Sequence, residues 1–94
     1  MSAPKATYVQ LGRVVRRLRK SRRMTQERLA DLAGMHLTYL SEIELHGSNL
    51  SWNMLTGLAT GLDLTLVELM AQVEEEARRD HATVEPPSRE SPEA

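Results

Sequence analysis

The chain has 94 residues, a net charge of −1 and no cysteine, which excludes disulfide bonds and thiolate metal sites and predicts one small domain. No run is long and apolar enough to cross a bilayer, and the first residues lack the apolar core of a secretory signal, so we expect a soluble, cytoplasmic protein. Residues 1–47 hold nine Lys and Arg against four acids, a net of +5, whereas residues 48–94 hold three against nine, a net of −6; this is typical of a chain whose basic half meets phosphates, although a solvated basic helix is the alternative.

The first predicted helix runs from about Tyr8 to Arg22, after a flexible arm of residues 1–6. Thr7 and Gln10 have the spacing of a capping box, in which each side chain satisfies a backbone amide at the helix start. An apolar stripe on this helix is predicted to be core, with cations on the other faces. The stripe consists of Leu11, Val14, Val15 and Leu18.

Two short helices about a tight turn are predicted between Thr25 and Leu45. Thr25 is a good N-cap residue, and Gly34 is the residue best able to take the left-handed conformation that ends a helix. The apolar positions at helical spacing are Leu29, Leu32 and Ala33 on helix 2, and Leu40 and Ile43 on helix 3. The outward row of helix 3, which could read a groove, comprises Leu37, Thr38, Ser41, Glu42 and Leu45.

A fourth helix is predicted from Trp52 to about Leu62, after a loop over residues 45–50 and with Ser51 as its cap. Gly57 and Gly61 lie inside this helix, and their cost in helix stability indicates close packing against a neighbour. Trp52 is predicted to be a lid on the core rather than a base-stacking group.

Thr65 and Glu68 form a second capping box, which opens helix 5. The apolar stripe of this helix outlasts the expected globule, so that Val73 and Ala77 would lie too far along to reach the core. We therefore predict a symmetric dimer interface; the alternative is a monomer whose helix 5 frays beyond Met70. The predicted interface contains Leu64, Val67, Met70, Val73 and Ala77.

The predicted domain spans residues 7–80, with the dimerisation helix at its end. Residues 81–94 are rich in proline, serine and glutamate and have too few apolar side chains to fold. We predict that they form a disordered acidic tail.

Over residues 8 to 70 the chain resembles the phage Cro proteins, lambdoid repressors and their bacterial relatives, the XRE-like helix-turn-helix regulators. The matching residues are Arg19, Thr25-Gln26, Leu29-Ala30, Gly34, Tyr39-Leu40-Ser41, Ile43-Glu44, Asn49, Ser51 and Glu68-Leu69. The resemblance implies an all-α, five-helix, lambda-repressor-like DNA-binding domain in which helices 2 and 3 form the helix-turn-helix. Within the family, a short single-domain chain is similar to the controller proteins of restriction-modification systems or to small phage repressors.

The resemblance also implies roles for individual residues. The base-reading positions are Leu37, Thr38, Ser41 and Glu42. Leu37 could pack only on thymine methyl groups, and Glu42 could accept a hydrogen bond from a cytosine amine. The phosphate-binding positions are Gln26, Tyr39, His46, Ser48, Asn49 and Ser51, with Arg17 added from the basic helix 1. A structural salt bridge would join Arg19 to Glu44.

Two of these positions have alternative roles. Gln26 could be an ordinary surface residue, and Tyr39 could be a half-buried packing residue.

The exposed face of predicted helix 3 has no lysine or arginine, where relatives commonly place arginine. Specific base contacts would then be few, and affinity would depend on contacts with the DNA backbone.

The predicted function is sequence-specific binding of double-stranded DNA by a homodimer that regulates transcription at an inverted-repeat operator. The alternative is an antitoxin or adaptor, in which the apolar and acidic face of helix 3 binds a protein partner. We expect no enzyme and no cofactor, since no serine or histidine has an obvious acid-base partner and there is no glycine-rich phosphate loop. We also expect no metal site, because Glu42 and His46 lack enough neighbouring ligands.

Overall fold

Five α-helices form the domain in a computed structural model that describes the backbone of residues 5–93 and the side chains of residues 5–81. The helices are α1 (Tyr8–Ser21), α2 (Gln26–Ala33), α3 (Leu37–His46), α4 (Trp52–Gly61) and α5 (Leu66–Glu93). The predicted helix order is confirmed, except that α3 includes Leu45 and His46, which the sequence placed in a loop. Of the predicted arm, residues 1–4 lie outside the described part of the chain.

Short-range hydrogen bonds fix where two of the helices begin. Thr7 Oγ1 accepts from the Gln10 backbone N–H at 3.4 Å, and the Thr7 backbone N–H donates to Gln10 Oε1 at 2.8 Å. Thr65 and Glu68 exchange the equivalent pair at 3.1 and 2.9 Å. Both predicted capping boxes are therefore confirmed.

Left-handed backbone marks three of the helix ends. Gly34 ends α2 with φ of 73°, as predicted, and its N–H bonds back to the last turn. Asp63, after α4, has φ of 62°, and Arg23, after α1, has φ of 56°. The conformation of Arg23 was not predicted, because arginine has no special tolerance of this region.

The apolar core lies between all five helices, and the predicted stripe of α1 is buried in it. Leu32, one of the apolar positions at helical spacing, is 42% exposed, and Trp52, the predicted lid, is 68% exposed. The buried face of α2 is centred on Leu29, Ala30 and Ala33, which leaves Leu32 at its edge. Trp52 is the first residue of α4 and extends beyond the core, so the predicted lid is wrong.

Glycine allows the helices to approach closely at two places that position the helix-turn-helix. A Cβ atom at Gly12 would overlap the carbonyl oxygen of Ile43, so α1 and α3 meet backbone to backbone. A Cβ atom at Gly57 would lie 2.5 Å from the carbonyl oxygen of Ala33, which brings α4 against α2. The close packing predicted for the glycines of α4 is confirmed.

Helix α5 packs along α1, and this corrects the predicted reach of its apolar stripe. Val73 is 4% exposed and Ala77 is 1% exposed within the single chain. Both were assigned to a dimer interface on the expectation that they lay beyond the core. They are buried because α5 runs beside α1 instead of projecting from the globule.

Acidic side chains of α5 neutralise part of the basic face of α1. Arg13 pairs with Asp80 at 2.8 Å and with Glu76 at 3.1 Å, while Gln10 Nε2 donates to Asp80 at 2.9 Å. Arg17 Nη2 lies 3.8 Å from Glu76. The opposite charges of the two halves of the sequence therefore meet within one molecule.

Helix α5 extends into the residues that were predicted to form the disordered tail. The helical backbone continues to Glu93, whereas the sequence predicts disorder from residue 81, and side chains beyond His81 lie outside the described residues. The disordered tail and the domain limit at residue 80 stay predictions. No single helix among the described residues could span a membrane; α4 and the first part of α5 reach the necessary length and hydropathy together but are bent by 93° and bury core side chains.

We expect the carboxyl pKa of Asp80 to lie below the ordinary value of 3.8, because Arg13 and then Gln10 donate hydrogen bonds that favour the anion. The contribution of this carboxylate to folding is then fully present above pH 3.8 and is lost as the pH falls through the lowered pKa. An NMR titration of the Asp80 side chain measures this pKa. Arg13→Gln should move it back towards 3.8, and Arg16→Gln, which removes a neighbouring cation, should not. Equal titration in wild type and Arg13→Gln would contradict the contact.

Candidate nucleic-acid interface

The outward face of α3 is exposed. Leu37 is 39% exposed and Leu45 is 66% exposed, and Thr38 and Glu42 are also exposed. Ser41, the remaining member of the predicted outward row, is half-buried. The four predicted base-reading residues span about 140° of the helix, with Ser41 between Leu37 and Thr38.

A buried ion pair fixes α3 against α1. Arg19 Nε donates to Glu44 Oε2 at 2.7 Å, and Arg19 Nη2 donates to Glu44 Oε1 at 2.9 Å. The side chains are 10% and 2% exposed, and Arg19 Nη1 also donates to the Met24 carbonyl oxygen at 2.8 Å. The hydrogen bonds to Glu44 raise the pKa of the Arg19 guanidinium above its ordinary value. The predicted salt bridge is present, in bidentate form.

Gln26 and Ser41 extend this ion pair into a network that includes α2. Gln26 Nε2 donates to Glu44 Oε1 at 3.0 Å, and Ser41 Oγ donates to Gln26 Oε1 at 3.0 Å. The Ser41 hydroxyl is thus committed inside the protein, although the resemblance assigned it to bases. Gln26, assigned to a phosphate, has its amide oriented by the same network and is half-buried.

The loop after α3 is held by two tyrosines. Tyr39 Oη donates to the Asn49 carbonyl oxygen at 3.1 Å, and Tyr8 Oη donates to Asn49 Oδ1 at 3.0 Å. Tyr39 is half-buried, in agreement with its alternative packing role. The contribution of Tyr8 was missed, because nothing in its local sequence indicates a partner 41 residues away.

The remaining predicted phosphate contacts lie along the same loop. His46 is exposed at the end of α3, Ser48 is half-buried, and Ser51 Oγ accepts from the Met54 N–H at 3.2 Å to cap α4. Gly47 has φ of 76° and packs against the backbone of Tyr8, which brings the loop next to the start of α1. Within the described residues, no three His, Asp or Glu side chains form a group that could hold a metal ion.

Arg17 does not join the other predicted phosphate contacts. Helix α3 packs on the side of α1 that carries Gly12 and Arg19. Arg17 follows Gly12 by five positions, about 140° around the helix, and faces Glu76 on α5. Its assignment to DNA rested on charge alone and is not supported by this position.

Four further side chains near α2 could contact a phosphate, although the sequence did not single them out. They are Arg22, Arg23, Arg28 and His36, all of which are exposed. Arg28 lies in the first turn of α2, where the positive end of the helix dipole disfavours a cation. This unfavourable placement could have marked Arg28, from the sequence alone, as a candidate for binding an anion.

Comparison with known families identifies the domain. Residues 10–73 match the model of a family described as a helix-turn-helix domain. No curated protein sequence matches the chain.

Solved structures similar to this chain include restriction-modification controller proteins. C.AhdI from Aeromonas hydrophila is 35% identical, over 66% of this chain and 94% of that protein, with a TM-score of 0.62. Wild-type C.Esp1396I is 28% identical, over 77% of this chain and 94% of that protein, with a TM-score of 0.70. The C.Esp1396I tetramer, solved in complex with its natural 35 base-pair operator, gives 28% identity, coverage of 76% and 93%, and a TM-score of 0.70. The expected lambda-repressor-like, all-α fold and the resemblance to controller proteins are confirmed.

Proposed function

The chain belongs to the helix-turn-helix domain family, and from this membership we propose that it is a transcriptional regulator that binds double-stranded DNA as a homodimer at an inverted-repeat operator. The observation that carries the proposal is the likeness to C.Esp1396I, of which 93% is covered and whose tetramer was solved with its operator. In helix-turn-helix proteins the second helix of the motif lies in the major groove. Here that helix is α3, with its outward face exposed.

The start of α2 is suited to hold a phosphate of the DNA backbone. The first amides of a helix have no partner within the helix and attract anions. Thr25 Oγ1 accepts from the Arg28 N–H at 3.0 Å, while the Gln26 side chain is oriented by Glu44. Arg22 and Arg23 precede this helix start and Arg28 lies in its first turn, so that three arginines outnumber Glu27, the acid of the same turn.

The loop between α3 and α4 would supply the second backbone contact. His46 ends α3, Ser48 and Asn49 lie in the loop, and the hydroxyls of Tyr8 and Tyr39 fix the loop through Asn49. Gln26 contacts Ser41 and Glu44, and the loop follows His46, so both proposed phosphate contacts lie next to the second half of α3. We assign the phosphate contact to Arg22, Arg23 and Arg28 instead of Arg17, because Glu76 already faces Arg17.

The proposed dimer surface is smaller than the sequence predicted. Val73 and Ala77 are buried within the chain, which leaves Leu64, Val67 and Met70. Val67 is 77% exposed, more than any other large apolar side chain among the described residues. A twofold axis beside α5 would place two α3 helices about one DNA turn, roughly 34 Å, apart.

Selection of bound sequences from random duplexes tests the proposed function. We expect an inverted repeat whose half-sites are about one turn apart, bound with a steep dependence on salt. Arg28→Gln should weaken all sequences alike and reduce the salt slope by about one for each subunit. Arg13→Gln is the matched control and should leave the slope unchanged, since Asp80 and Glu76 already neutralise Arg13.

Two other outcomes of this selection would contradict the proposal. One is that no sequence is enriched and a protein partner co-purifies, which would favour the antitoxin or adaptor function. The other is enrichment of a single half-site without a repeat, which would remove the dimer from the proposal.

Val67→Glu should weaken dimerisation more than about tenfold, because burial of a valine contributes about 1.5 kcal/mol for each copy and a charge would replace it. Sedimentation velocity at micromolar concentration measures the change. Val9→Glu, the same substitution at a valine that is 48% exposed on α1, is the control and should remain dimeric. If both variants were as dimeric as wild type, the interface would lie elsewhere.

A further inference from the structure

The hydrogen-bond network engages one side chain of the outward row of α3. Ser41 donates its hydroxyl to Gln26, and Gln26 donates its amide to Glu44. Of the predicted base-reading residues, Leu37, Thr38 and Glu42 are exposed. Leu37 is the first residue of α3, and in helix-turn-helix proteins the N-terminal residues of this helix contact base edges.

An aliphatic side chain at this position selects one chemical group. Leucine neither donates nor accepts a hydrogen bond, so a base edge that presents only acceptors or an amine would be desolvated without compensation. The apolar group in the major groove of ordinary DNA is the C5-methyl group of thymine. 5-Methylcytosine carries the same methyl group at the same position of the ring.

We propose that Leu37 binds the C5-methyl group of a pyrimidine in each half-site, so that operator affinity depends on that methyl group, whether thymine or 5-methylcytosine carries it. The inference rests on the proposed function, since it names the base feature that the DNA-binding face recognises. It adds a sensitivity of operator binding to cytosine-5 methylation.

The charge of the same face disfavours guanine edges. Glu42 is the acidic member of the outward row, and this row contains no lysine or arginine. A carboxylate accepts from the N4 amine of cytosine or the N6 amine of adenine, and it is repelled by the O4 acceptor of thymine and by the N7 and O6 acceptors of guanine. With no cation on the row to bind guanine, apolar contact at Leu37 supplies a large share of the discrimination.

The size of the effect follows from burial of one methyl group. Such burial changes affinity about fourfold for each half-site, and about fifteenfold when both half-sites of a dimer are changed. Both changes are within the range that fluorescence anisotropy resolves.

The test uses the full chain and its selected operator, with single thymines replaced by deoxyuridine in both half-sites. Deoxyuridine pairs as thymine does but lacks the C5-methyl group. We expect about a fifteenfold loss at one symmetric position. At that position 5-methylcytosine, paired with guanine, should bind more tightly than cytosine.

Protein variants assign the methyl contact to Leu37. Leu37→Ala should bind the thymine and deoxyuridine operators equally, since it cannot reach the methyl group. Leu45→Ala is the matched control; Leu45 is 66% exposed near the other end of α3, and its removal should leave the deoxyuridine loss intact. The measurements on wild-type protein do not depend on whether either variant folds.

Two results would overturn the inference while leaving the proposed function in place. One is equal affinity of wild type for every deoxyuridine operator. The other is an undiminished deoxyuridine loss in folded Leu37→Ala. Failure to select any operator would instead contradict the proposed function itself.

Discussion

The buried pair of Arg19 and Glu44 is the interaction on which the arrangement of the DNA-binding face depends. It joins α1 to α3, and through Gln26 it also joins α2. Removing two charges from water is costly, so such a pair contributes little net stability compared with apolar packing. The pair mainly destabilises other orientations of α3, because any rotation of this helix would leave a buried charge without a partner. The pair therefore specifies the orientation of α3 relative to the start of α2.

Charge is distributed so that only part of the basic surface is available for DNA. Glu76 and Asp80 on α5 neutralise Arg13 and Arg17 on α1, far around that helix from α3. Arg22 and Arg23, which precede α2, and Arg28, in its first turn, are exposed instead. In the proposed complex, these backbone contacts supply affinity, and the exposed face of α3, which has no lysine or arginine, supplies discrimination.

Much of the fold follows from local sequence, whereas the candidate site depends on distant contacts. Capping boxes and the left-handed Gly34 involve residues within one turn of each other, so the local sequence was sufficient to predict where these helices begin or end. The burial of Val73 depends on the angle between α5 and α1, which periodicity does not determine. Likewise, no local pattern indicates that Glu76 lies beside Arg17, 59 positions earlier. The Arg19 and Glu44 pair was found because a family resemblance supplied the distant partner.

A double-mutant cycle on this pair, read out both as stability and as operator affinity, tests its positioning role most directly. Arg19→Met and Glu44→Leu alone should each lower the free energy of unfolding by about 3 to 5 kcal/mol, because each leaves a buried charge unpaired. The double variant should recover most of the stability, yet bind the operator more weakly than wild type, since Gln26 has lost its acceptor. Additive losses of stability, or wild-type operator affinity in a stable double variant, would contradict the role assigned to the pair.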